Sequence, residues 1–187
     1  MSLAGAMTDG WIDGIRHVPS PNCDERPGGQ AVSLIVIHAI SLPPSRFGGG
    51  DIERLFTNTL DPDAHPSFAR LRALRVSAHF LICRDGEIVQ FVSCERRAWH
   101  AGVSVWQGRQ ACNDFSIGIE IEGCDEIPFE DLQYERLIGL IGCLRARYPV
   151  AALAGHADIA PQRKTDPGPC FAWSRLAVEG MPPRVAA

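Results

Sequence analysis

The sequence predicts an α/β fold, one domain in which helices flank a central mixed β-sheet. Three segments carry that expectation. "SLIVIH" (Ser33–His38) is a short, apolar, β-branched run of the kind that forms buried strands. "SIGIEIEG" (Ser116–Gly123) alternates, with Ile117, Ile119 and Ile121 on one face and Gly118, Glu120 and Glu122 on the other. After Pro128, "FEDLQYERLIGLIGCLRARY" sets Leu137, Leu140, Ile141, Leu144 and Tyr148 at helical spacing.

The remaining elements follow along the chain. The first strand ends at His38, and "SLPPSRFGGG" after it is too rich in proline and glycine for regular structure. Asp51 then reads as the N-cap of a short helix, "IERLFTNTL". "AHFLICRDGEIVQFV" (Ala78–Val92) reads as two strands turning at Asp85-Gly86, a strong hairpin signal. The long helix begins with acidic residues and ends at Arg145 and Arg147, as its dipole favours. Gly139 and Gly142 inside it cost helix propensity and point to close packing. With no internal repeat, the 187 residues form one core, read as a domain over 11–176 with extensions at 1–10 and 177–187.

Composition narrows the partners. A net charge of −4 gives no general attraction to nucleic acid or to an anionic membrane, so neither is expected as a partner. No apolar run approaches the ~20 residues that span a bilayer. The opening "MSLAGAMTDG" lacks a basic flank and an apolar run of signal-peptide length, so a cytoplasmic location is expected. The seven cysteines are scattered, odd in number and without a C-x-x-C pair, which fits reduced thiols.

The chemistry concentrates in "AGHADIAPQRKTDPGP" (Ala154–Pro169). Asp166 precedes Pro167, which biases it to extended backbone, where Lys164 and Asp166 would face one side together. With His156 they make a partial metal site lacking at least one ligand. His38, beside a glycine-rich loop, is the best candidate for it. Two histidines and one carboxylate leave the fourth position of tetrahedral zinc open, the arrangement of a hydrolytic site, and Glu120 is available as general base. Each residue also has a plain structural role: a packed histidine at a strand end, a turn aspartate, a solvated lysine, a glutamate on a wet sheet face.

"GHADIAPQRKTDPGP", taken with "VIHAISLPP", "VSAHFLICRDGEIVQFV", "RAWHAGVS" and "CNDFSIGIEIEG", resembles the zinc-dependent N-acetylmuramoyl-L-alanine amidases. The likeness runs in order from Trp11 to about Leu176. It implies a fold shared with peptidoglycan-recognition proteins and zinc ligands His38, His156 and Asp166. It also implies Glu120 as the acid/base group and Lys164 as the cation for the developing oxyanion. The substrate implied is a small muropeptide, and the likeness is greatest to members that act on 1,6-anhydromuropeptides in cytoplasmic cell-wall recycling. Two positions depart from relatives: Ala78 stands where phage-lysozyme relatives have tyrosine, and Ala39 where closer relatives often have asparagine. Arg75, His79, Trp99 and His100 are candidate substrate contacts, Arg75 for a stem-peptide carboxylate. His65 and His17 are not expected to be ligands. The competing readings are a recognition module that binds muropeptides without cleaving them and a wall-lytic amidase acting on intact polymer.

Overall fold

The β-branched and alternating runs form the two longest strands of the computed structural model, which describes residues 6–177 and 183–184. The parts of the two terminal extensions at 1–5, 178–182 and 185–187 lie outside the described residues.

Short strands β1 (Met7–Thr8) and β2 (Trp11–Ile12) pair at the start, followed by β3 (Arg16–His17) and β4 (Cys23–Glu25). The apolar run is β5 (Leu34–Ile40), which continues two residues past His38. The proline- and glycine-rich loop leads into α1 (Asp51–Phe56), where Gly50 rather than Asp51 is the N-cap; Asp51 begins the helix and pairs with Arg54 at 2.7 Å. The predicted hairpin is present as β6 (Phe80–Ile82) and β7 (Ile88–Gln90). β8 (Arg96–Ala98) pairs with β4, and β9 (Val105–Trp106) pairs with β10 (Arg109–Gln110). The alternating run is β11 (Ser116–Glu122), then come α2 (Asp131–Arg147), β12 (Ala152–Gly155) and the single turn α3 (His156–Ile159).

Six strands make the main sheet in the order β12-β5-β11-β6-β7-β3. β5 runs parallel to both β12 and β11, and β11 parallel to β6, while β6 and β7 are antiparallel. On one face Ile117, Ile119 and Ile121 join Ile35 and Ile37 against Leu137, Leu140, Ile141 and Leu144 of α2. Burial of each such side chain contributes about 1.5–3 kcal/mol, which makes this layer the main anchor of the sheet. Gln133 ties the start of α2 to the strands, donating from Nε2 to the Glu122 carbonyl at 2.9 Å while its Oε1 accepts from Glu130 N. Gly142 meets nothing within 4 Å, so it marks an open helix face and not the close packing its sequence suggests.

The opposite face carries His38, Ser116, Gly118 and Glu120; the segment containing Ala101, Trp106, Cys112 and Phe115 packs on its Leu34 and Val36, and Glu120 lines a cavity. Met7 and Thr8 pair with Ile12 and Trp11, and Arg184 forms a 3.0 Å ion pair with Asp158 and lies over the Trp173 ring. All seven cysteines are free.

Candidate metal centre

Parallel order brings the site together. β12, β5 and β11 are adjacent, so their carboxyl ends meet, the usual place for ligands in α/β sheets. His38 projects from β5 directly opposite Glu120 of β11 in the register, and His156 follows the last residue of β12. His38 and His156 are 1% and 3% exposed.

Asp166 reaches the same point from the loop that follows α3. This loop has turns at 161–163 and 166–167, with Arg163 N and Lys164 N both donating to the Ala160 carbonyl at 3.0 Å. The Asp166 carbonyl accepts from Ala157 N at 2.9 Å, which fastens this segment to α3. Lys164 and Asp166 both line one cavity.

His38 Nδ1 and His156 Nδ1 stand 2.9 Å apart, and Asp166 Oδ2 is 3.1 Å from each. Among the described residues, His38, His156 and Asp166 form a group able to hold a metal ion, with ligand atoms within 4.8 Å of one another. Burial presses the Asp166 carboxyl upward, but the two facing imidazoles outweigh it and hold the group well below the carboxylate range. Burial lowers the His38 imidazole to about 4, so it is neutral, as a ligand must be. The His156 Nε2–H faces the Ala101 carbonyl at 3.2 Å, an acceptor, so Nδ1 carries the lone pair. Lone pairs and a carboxylate oxygen crowded this closely fit a cation between them. Two imidazoles and a carboxylate suit zinc, whose Zn–N bonds of about 2.0–2.1 Å match a triangle of this size.

Glu120 is partly buried, yet its Oε2 is fully covered and has no hydrogen-bond partner among the described residues. Burial, reinforced by the Asp166 charge, raises its pKa well above the ordinary carboxyl value. Elevation of this kind is what a proton-transfer group working near neutrality needs. Glu120, Lys164, His156 and Asp166 all line a cavity of about 520 Å³.

Arg75, Trp99 and His100 line the same cavity. Arg75 is exposed at its rim, its Nη1 donating to the Leu74 carbonyl at 2.9 Å. His79 does not reach it. The ring is fully buried behind His100, with Nδ1 accepting from Gly118 N at 3.1 Å and Nε2 donating to the Arg96 carbonyl at 3.1 Å. The alternation of "SAHF" points this side chain into the sheet layer, where it is buried and does not line the cavity. His65 caps a 3-10 turn by accepting from Ser67 N, and the exposed His17 packs on Trp11. Sequence reasoning overlooked Arg163, which lines the cavity and donates to the Ala101 and Val103 carbonyls. Its only signal was its place next to Lys164.

The family model for N-acetylmuramoyl-L-alanine amidase (Amidase_2) matches residues 28–169, a span that includes every residue of this centre. The chain belongs to the N-acetylmuramoyl-L-alanine amidase family. It is 57% identical over 172 residues to the 1,6-anhydro-N-acetylmuramyl-L-alanine amidase AmpD of Enterobacter cloacae, covering 91% of this chain and 92% of that one. A crystal structure of a selenomethionine AmpD derivative superposes with a TM-score of 0.89 at 56% identity, over 91% of this chain and 96% of that chain. The amidase AmiD of Escherichia coli has also been solved with the substrate anhydro-N-acetylmuramic acid-L-Ala-D-γ-Glu-L-Lys. It is similar at 33% identity and a TM-score of 0.58, over 84% of this chain and 62% of that one. This amidase therefore places the His-His-Asp group of its family at the carboxyl ends of its parallel strands.

Proposed function

We propose that the enzyme, with zinc held by His38, His156 and Asp166, hydrolyses the amide between 1,6-anhydro-N-acetylmuramic acid and the L-alanine of a stem peptide. The observation that carries this reading is the cluster of three donor atoms beside a cavity that His156, Asp166 and Glu120 line, where a covered Glu120 oxygen has no partner among the described residues. When bound, zinc polarises the scissile carbonyl and lowers the pKa of water to about 7. Glu120 takes a proton from the attacking water and delivers it to the departing alanine amine. Lys164 stabilises the negative charge that develops on the carbonyl oxygen.

Arg75 at the rim suits a stem-peptide carboxylate, and Trp99 offers an aromatic wall to the sugar or peptide. His100 acts from beneath the site. The similarity to AmpD and the AmiD complex support the anhydro sugar and a role in peptidoglycan recycling. Residues 11–176 would carry the activity. Among the described residues no helix is long and apolar enough to cross a membrane, and the AmpD likeness supports a soluble muropeptide substrate in the cytoplasm.

Product analysis by mass spectrometry tests the reading. Anhydromuramyl-L-alanyl peptide should yield free peptide and anhydro-N-acetylmuramic acid, while purified sacculi are cut poorly. Equal cleavage of sacculi would make the enzyme wall-lytic; binding without product would make it a recognition module.

A further inference from the structure

We propose that residues 100–101 form a clamp that fixes both histidine ligands in the Nε2–H tautomer, with Asn113, Ser116 and Gly118 as its positioning residues. This rests on the metal reading above. A neutral imidazole places its proton on either nitrogen, and only the bare nitrogen binds a cation; the partner of the far nitrogen decides which.

The proton positions follow from one serine. Ser116 Oγ donates its single proton to the Cys112 carbonyl at 2.6 Å. Toward His100 Nε2, 3.2 Å away, that oxygen therefore accepts, which puts the His100 proton on Nε2. His100 Nδ1 is then an acceptor, and it receives His38 Nε2–H at 2.9 Å. His38 is left with a lone pair on Nδ1, the atom that faces His156 and Asp166. The next residue does the same for the second ligand, since the Ala101 carbonyl receives His156 Nε2–H at 3.2 Å. Two successive residues thus direct two ligands that are 118 positions apart in sequence.

The clamp is itself held. Asn113 Oδ1 accepts from Ala101 N at 2.8 Å and from His100 N at 3.2 Å. The His100 ring lies over Gly118, where a Cβ would come within 2.6 Å of its Nδ1, so any larger residue there displaces the ring. Gly118 is in turn fixed through its N–H to His79 Nδ1. The alternate residues Ser116, Gly118 and Glu120 thereby share one strand face as proton acceptor, ring seat and acid/base group.

Two readouts test this without relying on turnover. Long-range ¹H–¹⁵N imidazole spectra of the zinc-loaded enzyme should show His38, His156 and His100 all protonated at Nε2. A His100 proton on Nδ1 would overturn the proposal, and this measurement needs no variant to fold. Zinc affinity, from competition with a chelator, should weaken about 10–100-fold in His100→Leu and Gly118→Ala. His100→Asn, which keeps an acceptor oxygen near the place of Nδ1, should recover most of that loss. An affinity of His100→Leu within threefold of wild type would also overturn it. Should the wild type bind no zinc, the metal reading fails separately, and the His100 tautomer in that sample still decides whether the clamp exists.

Discussion

Replacing Glu120 with glutamine separates proton transfer from metal binding. Glu120 adjoins His38 in the strand register but is not one of the three clustered donors, and its covered Oε2 has no partner to lose among the described residues. Glutamine has the same size, and it exchanges a carboxylate that burial already disfavours for a neutral group. Exchanging one poorly satisfied polar group for another should alter stability by no more than about 1–2 kcal/mol. Loss of a general acid–base group lowers rates by about 10²–10⁴, equivalent to about 2.7–5.5 kcal/mol in the barrier. The assay is chromatographic release of peptide from an anhydromuramyl-L-alanyl peptide, with metal analysis and thermal unfolding on the same samples. Full zinc, near-native stability and a rate reduced 10²-fold or more are expected. A rate within tenfold of wild type would return Glu120 to a structural role, and loss of zinc would make it part of the metal site.

Other perturbations read the neighbouring groups. Lys164→Met keeps much of the stem's bulk and removes the charge, so kcat should fall on the order of 10²-fold with little change in KM; a tenfold or smaller loss would refute an oxyanion role. Alanine at His38, His156 or Asp166 should remove zinc and activity together, and full metal occupancy in all three variants would refute the ligand assignment. In zinc-stripped protein, burial lowers His38 to about 4, His79 to about 3 and His100 well below its ordinary value. Their contribution to stability is complete above the unfolded value of about 6.5 and is lost as pH falls through the folded values. Unfolding free energy should therefore drop from pH 7 to 5 by up to about 1.4 kcal/mol per pH unit for each histidine, and a flat profile would refute their neutral burial.

Periodicity made the fold readable where one pattern dominated. Ile117, Ile119 and Ile121 alternate because β11 packs one face on α2, and Asp85-Gly86 marks the hairpin because the turn demands those residues. The ligands were legible as residue types, but their convergence depends on the β12-β5-β11 order, which no local pattern records. Lys164 and Asp166 line one cavity as their spacing suggested, but the bonds that hold their loop, to Ala160 and Ala157, join residues that no local pattern pairs. Asn113 and Ser116 carried no signal, since an amide and a hydroxyl acquire a role only once the 99–102 loop lies over β11. Gly118 read only as one position on the Glu120 face of its strand and is the seat of a ring.

The central claim, one zinc ion on His38, His156 and Asp166 that hydrolysis requires, is tested most directly by titrating metal-stripped enzyme with zinc. Peptide release from an anhydromuramyl-L-alanyl peptide is followed at each addition. Activity should rise from the stripped baseline in proportion to zinc and level off at one equivalent per chain. Full turnover before any zinc is added, or no gain at one equivalent, would contradict the account.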